Sequence, residues 1–308
     1  MRTEDDQWGI TESVGVTALG VASGRAMETH RPDGLVHDPY AEAFVDAAAG
    51  EIRLPKGPED ARAMAAENGA AQDDGATEAD WQEQSAYIGV RSRFFDDALT
   101  AATADGVRQV VLLAAGLDTR AQRLDWPADT VVYEVDQHGV LDFKDDVLAE
   151  QRATTAGGGA RRVVVRVDLR HDWSAALREA GFDPGAPTAW LAEGLLPYLP
   201  AQAEIDLFDR IGELSAPGSH LAVEHFGDIV HHFGREDSRL ASLSRRFGVD
   251  IRELFFADDR PDAAERLGEL GWTVTGRSAS ELAESYGRPL DPELADVHGA
   301  AKLLDARR

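Results

Sequence analysis

Val110-Val111-Leu112-Leu113-Ala114-Ala115-Gly116-Leu117-Asp118-Thr119-Arg120 is the stretch on which the fold turns. An apolar, β-branched run of this length reads as a buried strand. It ends at Gly116, where the missing side chain lets the backbone approach a ligand, and a helix is expected to follow. This is the first strand-to-helix turn of a nucleotide-binding sheet. It lacks the three glycines of the dinucleotide fingerprint: Ala114 stands where an early glycine would be, and nothing after Gly116 supplies the third. A pyrophosphate seated on the helix N-terminus is therefore disfavoured.

Similar runs recur downstream. With Gln109 to Ala115 as the first, Thr130 to Val135, Arg162 to Val167, Thr188 to Ala192 and Ser219 to Glu224 alternate with helical stretches. Strands alternating with helices imply right-handed crossovers and a parallel sheet covered on both faces. Trp272 to Thr275 and Ala300 to Leu304 read as closing strands around a helical Ser280 to Tyr286. The expected architecture is α/β, a doubly wound, mostly parallel seven-stranded sheet of Rossmann-like type. Residues 1–104 precede the first strand and read as a helical cap, with small and apolar stretches at Val14 to Ala26 and Ala41 to Ala49. Pro55 to Asp80, without an apolar period, is predicted to be a mobile loop. A single domain of residues 1–308 is expected, with the ligand-binding core at 105–225, a helical insertion after the fifth strand at 226–262, and the closing strands and helix at 263–308.

Composition narrows the chemistry. The 308 residues are 43% apolar, enough for a substantial core. There is no cysteine, so disulfides, thiolate metal sites and a cysteine nucleophile are excluded. A net charge of −25 opposes nucleic acid and anionic membrane surfaces. No apolar run of about 18 residues occurs, and the acidic start Met1-Arg2-Thr3-Glu4-Asp5-Asp6 is unlike a signal peptide. The cytoplasm is the expected compartment. No His/Asp/Glu grouping has metal spacing, so no metal is expected.

The strand ends supply the candidate site. The second strand ends Glu134-Val135-Asp136, placing an acid twenty positions after Gly116. An acid at that tip can accept both ribose hydroxyls, as dinucleotide and S-adenosylmethionine sites require. Asp136 is the first candidate, and Glu134, on the same strand face, the second. After the third strand, Asp168 can accept from an adenine amine and Leu169 can cover the ring. Glu193, in Ala192-Glu193-Gly194-Leu195-Leu196-Pro197-Tyr198, stands at the end of the fourth strand beside the reacting region. In the helical segment Glu83 to Leu99, Tyr87, Ile88, Phe94, Phe95, Ala98 and Leu99 share one stripe at 100° per residue, with Arg91 near its middle. A guanidinium there needs an anion, either a protein carboxylate or the carboxylate of a methionine moiety.

With these residues the chain resembles the leucine carboxyl methyltransferase family, in its bacterial branch of S-adenosylmethionine-dependent O-methyltransferases. The matching pieces are Ser13-Val14-Gly15-Val16-Thr17-Ala18, Asp38-Pro39-Tyr40-Ala41, the Arg91 helix, Ala115 to Arg120, Glu134 to Asp136, Asp168-Leu169-Arg170 and Glu193 to Tyr198. Beyond Tyr198 the likeness thins to Ala216-Pro217-Gly218-Ser219. The resemblance implies S-adenosyl-L-methionine as cofactor, with Arg91 on its carboxylate, Gly116 against its methionine portion, Asp136 on the ribose, Asp168 and Leu169 at the adenine and Glu193 near the amino group. It also implies that the N-terminal helices and the insertion close over the acceptor.

Methyl transfer from a sulfonium is an in-line displacement served by positioning and exclusion of water. A carboxylate acceptor is ionised at neutral pH and needs no base; a hydroxyl needs one. Base candidates near the ligand edge are Tyr198, Glu224 and His225, with His231 and His232 in the insertion, and Tyr198 and Glu193 are the expected catalytic pair. Trp8, Phe226, Phe233, Phe255 and Phe256 could line an apolar acceptor pocket or simply pack a helix on the sheet. The expected partner is a small or medium-sized acceptor. The rival readings are an NAD(P)-dependent Rossmann oxidoreductase and a protein that binds S-adenosylmethionine without catalysis.

Overall fold

A computed structural model describes residues 10–11, 14–69, 77–153, 159–226, 254–256, 258–292 and 295–308. Seven strands form one sheet: β1 (Gln109–Leu113), β2 (Thr130–Asp136), β3 (Ala160–Arg166), β4 (Thr188–Ala192), β5 (His220–His225), β6 (Thr273–Ser278) and β7 (Lys302–Arg307). Their order is β3-β2-β1-β4-β5-β7-β6, and only β7 runs against the rest. The chain leaves β1 toward β2 on one side and reaches β4 on the other, so the strand order reverses between β1 and β4. That reversal opens a crevice beyond the carboxyl ends of the strands.

Both faces of the sheet are covered, which explains the uninterrupted apolar character of β1 and β4. On one face Val111, Leu113, Tyr133, Trp190 and Val223 pack with Trp173, Leu177, Phe208 and Ile211. These come from α7 (Trp173–Glu179) and α8 (Ala201–Glu213). On the other face Val110, Leu112, Val132 and Leu191 meet Val90, Phe94, Phe95 and Leu99 of α4 (Glu78–Ala104). Alternate side chains of each strand thus enter opposite layers. The last turns of α4 belong to the sheet's own helical layer, although they precede β1.

The N-terminal helices α1 (Val14–Thr29) and α2 (Ala41–Ala48) form a third cluster through Val16, Leu19, Met27, Phe44 and Val45. It closes on Trp81 of α4, on Leu117 and on Val140 of α6 (His138–Glu150). The segment expected to be a mobile loop contains α3 (Pro58–Gly69), with Ala61 buried and Met64 packed against this cluster. The helix expected after Gly116 is a single turn, α5 (Arg120–Arg123). Near the end come α9 (Ala263–Glu269), α10 (Ala279–Ser285) and α11 (Ala295–Ala300). The final strand lies two residues later than expected because Ala300 closes α11. Most of the expected insertion, with His231, His232 and Phe233, lies outside the described residues, as does Trp8. Among the described residues no helix is long and apolar enough to cross a membrane.

Candidate active site

A cavity of about 890 Å³ occupies the crevice at the β1–β4 reversal, bounded by the tips of β1 to β4, by α1 and by the turn after β4. At its centre the backbone turns sharply. Ala114 has φ of 51° and Gly116 φ of 47°, left-handed conformations that glycine adopts freely and alanine only at a cost. The chain therefore keeps the glycine-type turn at 114 with an alanine in place. The Gly116 N–H donates to Asp136 Oδ2 at 2.7 Å, and the Gln137 N–H to Asp136 Oδ1 at 2.7 Å. Asp136 lines the cavity, and each oxygen keeps a lone pair for a further donor. Burial pushes its carboxyl up to about 6, against the pull of those two N–H groups.

At the β3 end, Asp168 and Leu169 also reach the wall. Gln137 Nε2 donates to Asp168 Oδ2 at 2.6 Å, while Arg170 donates through its backbone N–H at 2.8 Å and its guanidinium at 2.6 Å. Burial works to raise the Asp168 pKa, but the Arg170 hydrogen bonds prevail and hold it below the usual value.

The β4 end carries a buried charge network. Arg91 Nε lies 2.8 Å from Glu193 Oε1, and Arg91 Nη1 donates to Glu224 Oε2 at 3.0 Å. The other Glu193 oxygen accepts from Arg120 Nη1 at 2.6 Å. Arg120 Nε continues to Asp96 at 2.6 Å, and Asp96 is gripped by Arg123 at 2.6 and 2.7 Å. Asp118 also pairs with Arg120; burial opposes its ionisation, but the cationic surroundings, Arg120 foremost, bring its pKa down to about 2. Arg91 thus has protein carboxylates as partners and also lines the cavity.

Gly116, Asp136, Asp168, Leu169, Glu193, Arg91 and Tyr198 all lie on the wall of one cavity. Two second-choice residues do not. Glu134 is fully buried between Lys144 and Arg162, each at 2.7 Å, and does not line the cavity. Glu224, offered above as a base, is drawn inside: it accepts from Tyr87 Oη at 2.5 Å, from Arg91 and from the Gly194 N–H at 2.6 Å. It clamps α4 to the loop after β4 and, like the buried His225, is not a wall residue. Sequence reading assigned no role to Arg25, whose side chain reaches the cavity from α1 while bonding Asp38 at 2.8 Å and the Leu117 carbonyl at 2.6 Å. The signal was available in Asp38 and Thr119, both within quoted motifs and joined here at 2.7 Å.

A doubly wound sheet with an acid-tipped cavity at the strand reversal defines a nucleotide-type ligand site. The chain matches the profile of the family described as leucine carboxyl methyltransferase over residues 18–212. It is 46% identical over 316 residues to a protein of Rhodococcus jostii provisionally named an S-adenosyl-L-methionine-dependent methyltransferase, covering 99% of each chain. A similarly named protein of Mycolicibacterium smegmatis is 47% identical over 307 residues, covering 99% of this chain and 98% of the other. A solved structure from Thermobifida fusca, provisionally named a methyltransferase, superposes with a TM-score of 0.50 at 17% identity, covering 94% of this chain and 93% of that one, which supports the fold.

The chain belongs to the leucine carboxyl methyltransferase family. It is an S-adenosyl-L-methionine-dependent methyltransferase, and the oxidoreductase and non-catalytic readings are not favoured. The cavity suits that cofactor: an acid with spare lone pairs at the β2 tip, an acid beside an apolar side chain at the β3 tip, and buried charges of both signs at the β4 tip. Among the described residues no group of three His, Cys, Asp or Glu is placed to hold a metal.

Proposed function

We propose that this enzyme methylates an oxygen of a small or medium-sized acceptor, and that the oxygen is a carboxylate. The observation that carries the choice is the fate of the base candidates. Among the described base candidates, Glu224 is locked between Tyr87, Arg91 and Gly194, and His225 is off the wall, leaving Tyr198 on it; His231 and His232 lie outside the described residues. His171 lines the cavity at the β3 end, three places across the sheet from β4. An acceptor that is already an anion needs no proton removed.

Within this reading Asp136 holds the ribose, Asp168 and Leu169 the adenine, Gly116 the methionine chain, Glu193 the amino group and Arg91 the carboxylate. The bound sulfonium supplies an electrophilic methyl group. Tyr198 orients the acceptor oxygen against it through its hydroxyl, Glu193 acts from the cofactor side by holding the amino group, and the surrounding side chains exclude water, so acceleration comes from positioning. A charged residue whose partners are already in place, such as Arg91, loses little freedom when ligand arrives.

The test has two stages. Calorimetric titration with S-adenosylmethionine, S-adenosylhomocysteine and NADH should give heat for the first two alone. Incubation with methyl-labelled cofactor and a panel of carboxylic acids and phenols should then give product that releases labelled methanol in mild alkali. Label that survives alkali as an ether or amine would refute carboxylate methylation.

A further inference from the structure

Past the β4 tip the cavity runs on between the turn Leu196–Tyr198 and the exit of β5. Its volume of about 890 Å³ is near the upper end of single-ligand pockets, which span roughly 300–1,000 Å³. This leaves room for an acceptor beside the cofactor. The wall there is Pro197, Tyr198, Leu199, Phe226, Phe255 and Phe256. Tyr198 and Phe255 pack with ring centroids 5.2 Å apart.

The backbone of this wall is held from behind. The Phe256 N–H donates to the Pro197 carbonyl at 2.9 Å. Arg260, itself not a wall residue, donates to the carbonyls of Leu196 at 3.0 Å, Leu199 at 3.1 Å and Phe256 at 2.9 Å. Its charge is met by Glu204 at 2.6 Å. These bonds occupy the carbonyls of Leu196, Pro197, Leu199 and Phe256, so the wall offers the cavity mainly apolar side chains. The arginines that the described residues place around the cavity already face carboxylates: Arg25 on Asp38, Arg91 on Glu193 and Glu224, Arg170 on Asp168. Among the described residues no arginine on the cavity is left to meet the double charge of a phosphate, whereas a carboxylate brings a single charge, which the cofactor's sulfonium can face.

We infer that the acceptor is a carboxylic acid with an apolar aliphatic or aromatic body and no phosphate, seated on the Tyr198, Phe255 and Phe256 wall that Arg260 holds in place. This rests on the carboxylate-methylation reading above and adds the chemistry of the rest of the molecule. Apolar burial then sets acceptor affinity, and Arg260 acts as a positioning residue.

The test uses the full chain saturated with S-adenosylhomocysteine and titrates hexanoate, octanoate, decanoate and octyl phosphate. Binding should tighten about fourfold for each methylene buried, with octyl phosphate weaker than octanoate despite its longer tail. Phe256→Ala should weaken decanoate by about tenfold or more, with S-adenosylhomocysteine affinity unchanged as the check on folding. Arg260→Lys, which keeps the charge but not the multiple carbonyl bonds, should weaken decanoate in the same direction. Affinity that does not change along the acid series, or octyl phosphate binding as tightly as octanoate or tighter, would overturn the inference while leaving methyl transfer intact. Failure of S-adenosylhomocysteine itself to bind would instead overturn the cofactor-site assignments, and this inference with them.

Discussion

We predict that replacing Asp136 by asparagine weakens cofactor binding by about 3 kcal/mol, roughly 150-fold, with little change in stability. In this structure each carboxylate oxygen takes one backbone N–H and has a lone pair left for a ribose hydroxyl. Hydrogen bonds to a charged group contribute about 1.5–3 kcal/mol each, and an amide keeps only one acceptor atom. For stability two effects oppose. With its pKa raised from 3.8 to about 6, the folded chain pays about 3 kcal/mol to ionise Asp136 at neutral pH, less whatever cavity water screens. Asparagine removes that cost but turns its NH₂ toward a backbone N–H, which costs about 1–3 kcal/mol.

The pH dependence has a definite sign. In the cofactor-free protein a raised carboxyl pKa favours the folded state at low pH, and that contribution is lost as pH rises from about 4 through 6. Cofactor binding runs the other way, because the ribose needs the ionised form. At pH 5 about one tenth of the groups are ionised, so affinity should fall about tenfold between pH 7 and pH 5. Calorimetric titration of S-adenosylhomocysteine at pH 5, 6 and 7 reads this directly, with His171→Gln alongside to remove the imidazole that shares the wall. A wild-type affinity that is flat across this range, or an Asp136→Asn affinity within threefold of wild type, would refute the reasoning.

Two further outcomes separate scaffold from site. Lys144→Met should destabilise the fold by about 3 kcal/mol, since it breaks a buried ion pair with Glu134, and should leave cofactor affinity within twofold; a selective loss of affinity on a stable chain would return Glu134 to the ribose question. Ala114→Gly should raise stability by about 1 kcal/mol by relieving the left-handed alanine, seen as a melting temperature about 2–4 °C higher; a lower melting temperature would show that the turn gains nothing from the exchange.

The parallel strands were legible because both their faces are buried: Thr188 to Ala192 needs no context to be read as a strand, and its ends fall where the sequence places them. The Arg91 stripe was legible by period, since α4 buries that face along its whole middle. Helix α3 was missed for the opposite reason. Of its described side chains Ala61 and Met64 join the neighbouring core, too few to make an apolar rhythm, although Pro58 at its start and Glu59 and Asp60 in its first turn are start signals. The acids at the strand ends were found as a set, yet their division was not. Whether Glu224 faces the ligand or Tyr87 depends on a tyrosine 137 positions away. Distances of that kind do not appear in any local pattern.

Strand β7, last of the seven in sequence, lies between β5 and β6 and bonds to both. Until residues 302–307 are synthesised, β5 presents an open edge and β6 has no neighbour to join. Folding from the ribosome is therefore incomplete until that strand emerges, with an unpaired edge of the kind that templates aggregation. The same arrangement ties the ligand side to the arrival of β7, because Glu224 pairs in register with Leu303. Until β7 is in place, the strand that carries the clamp on Arg91 is left open along one edge.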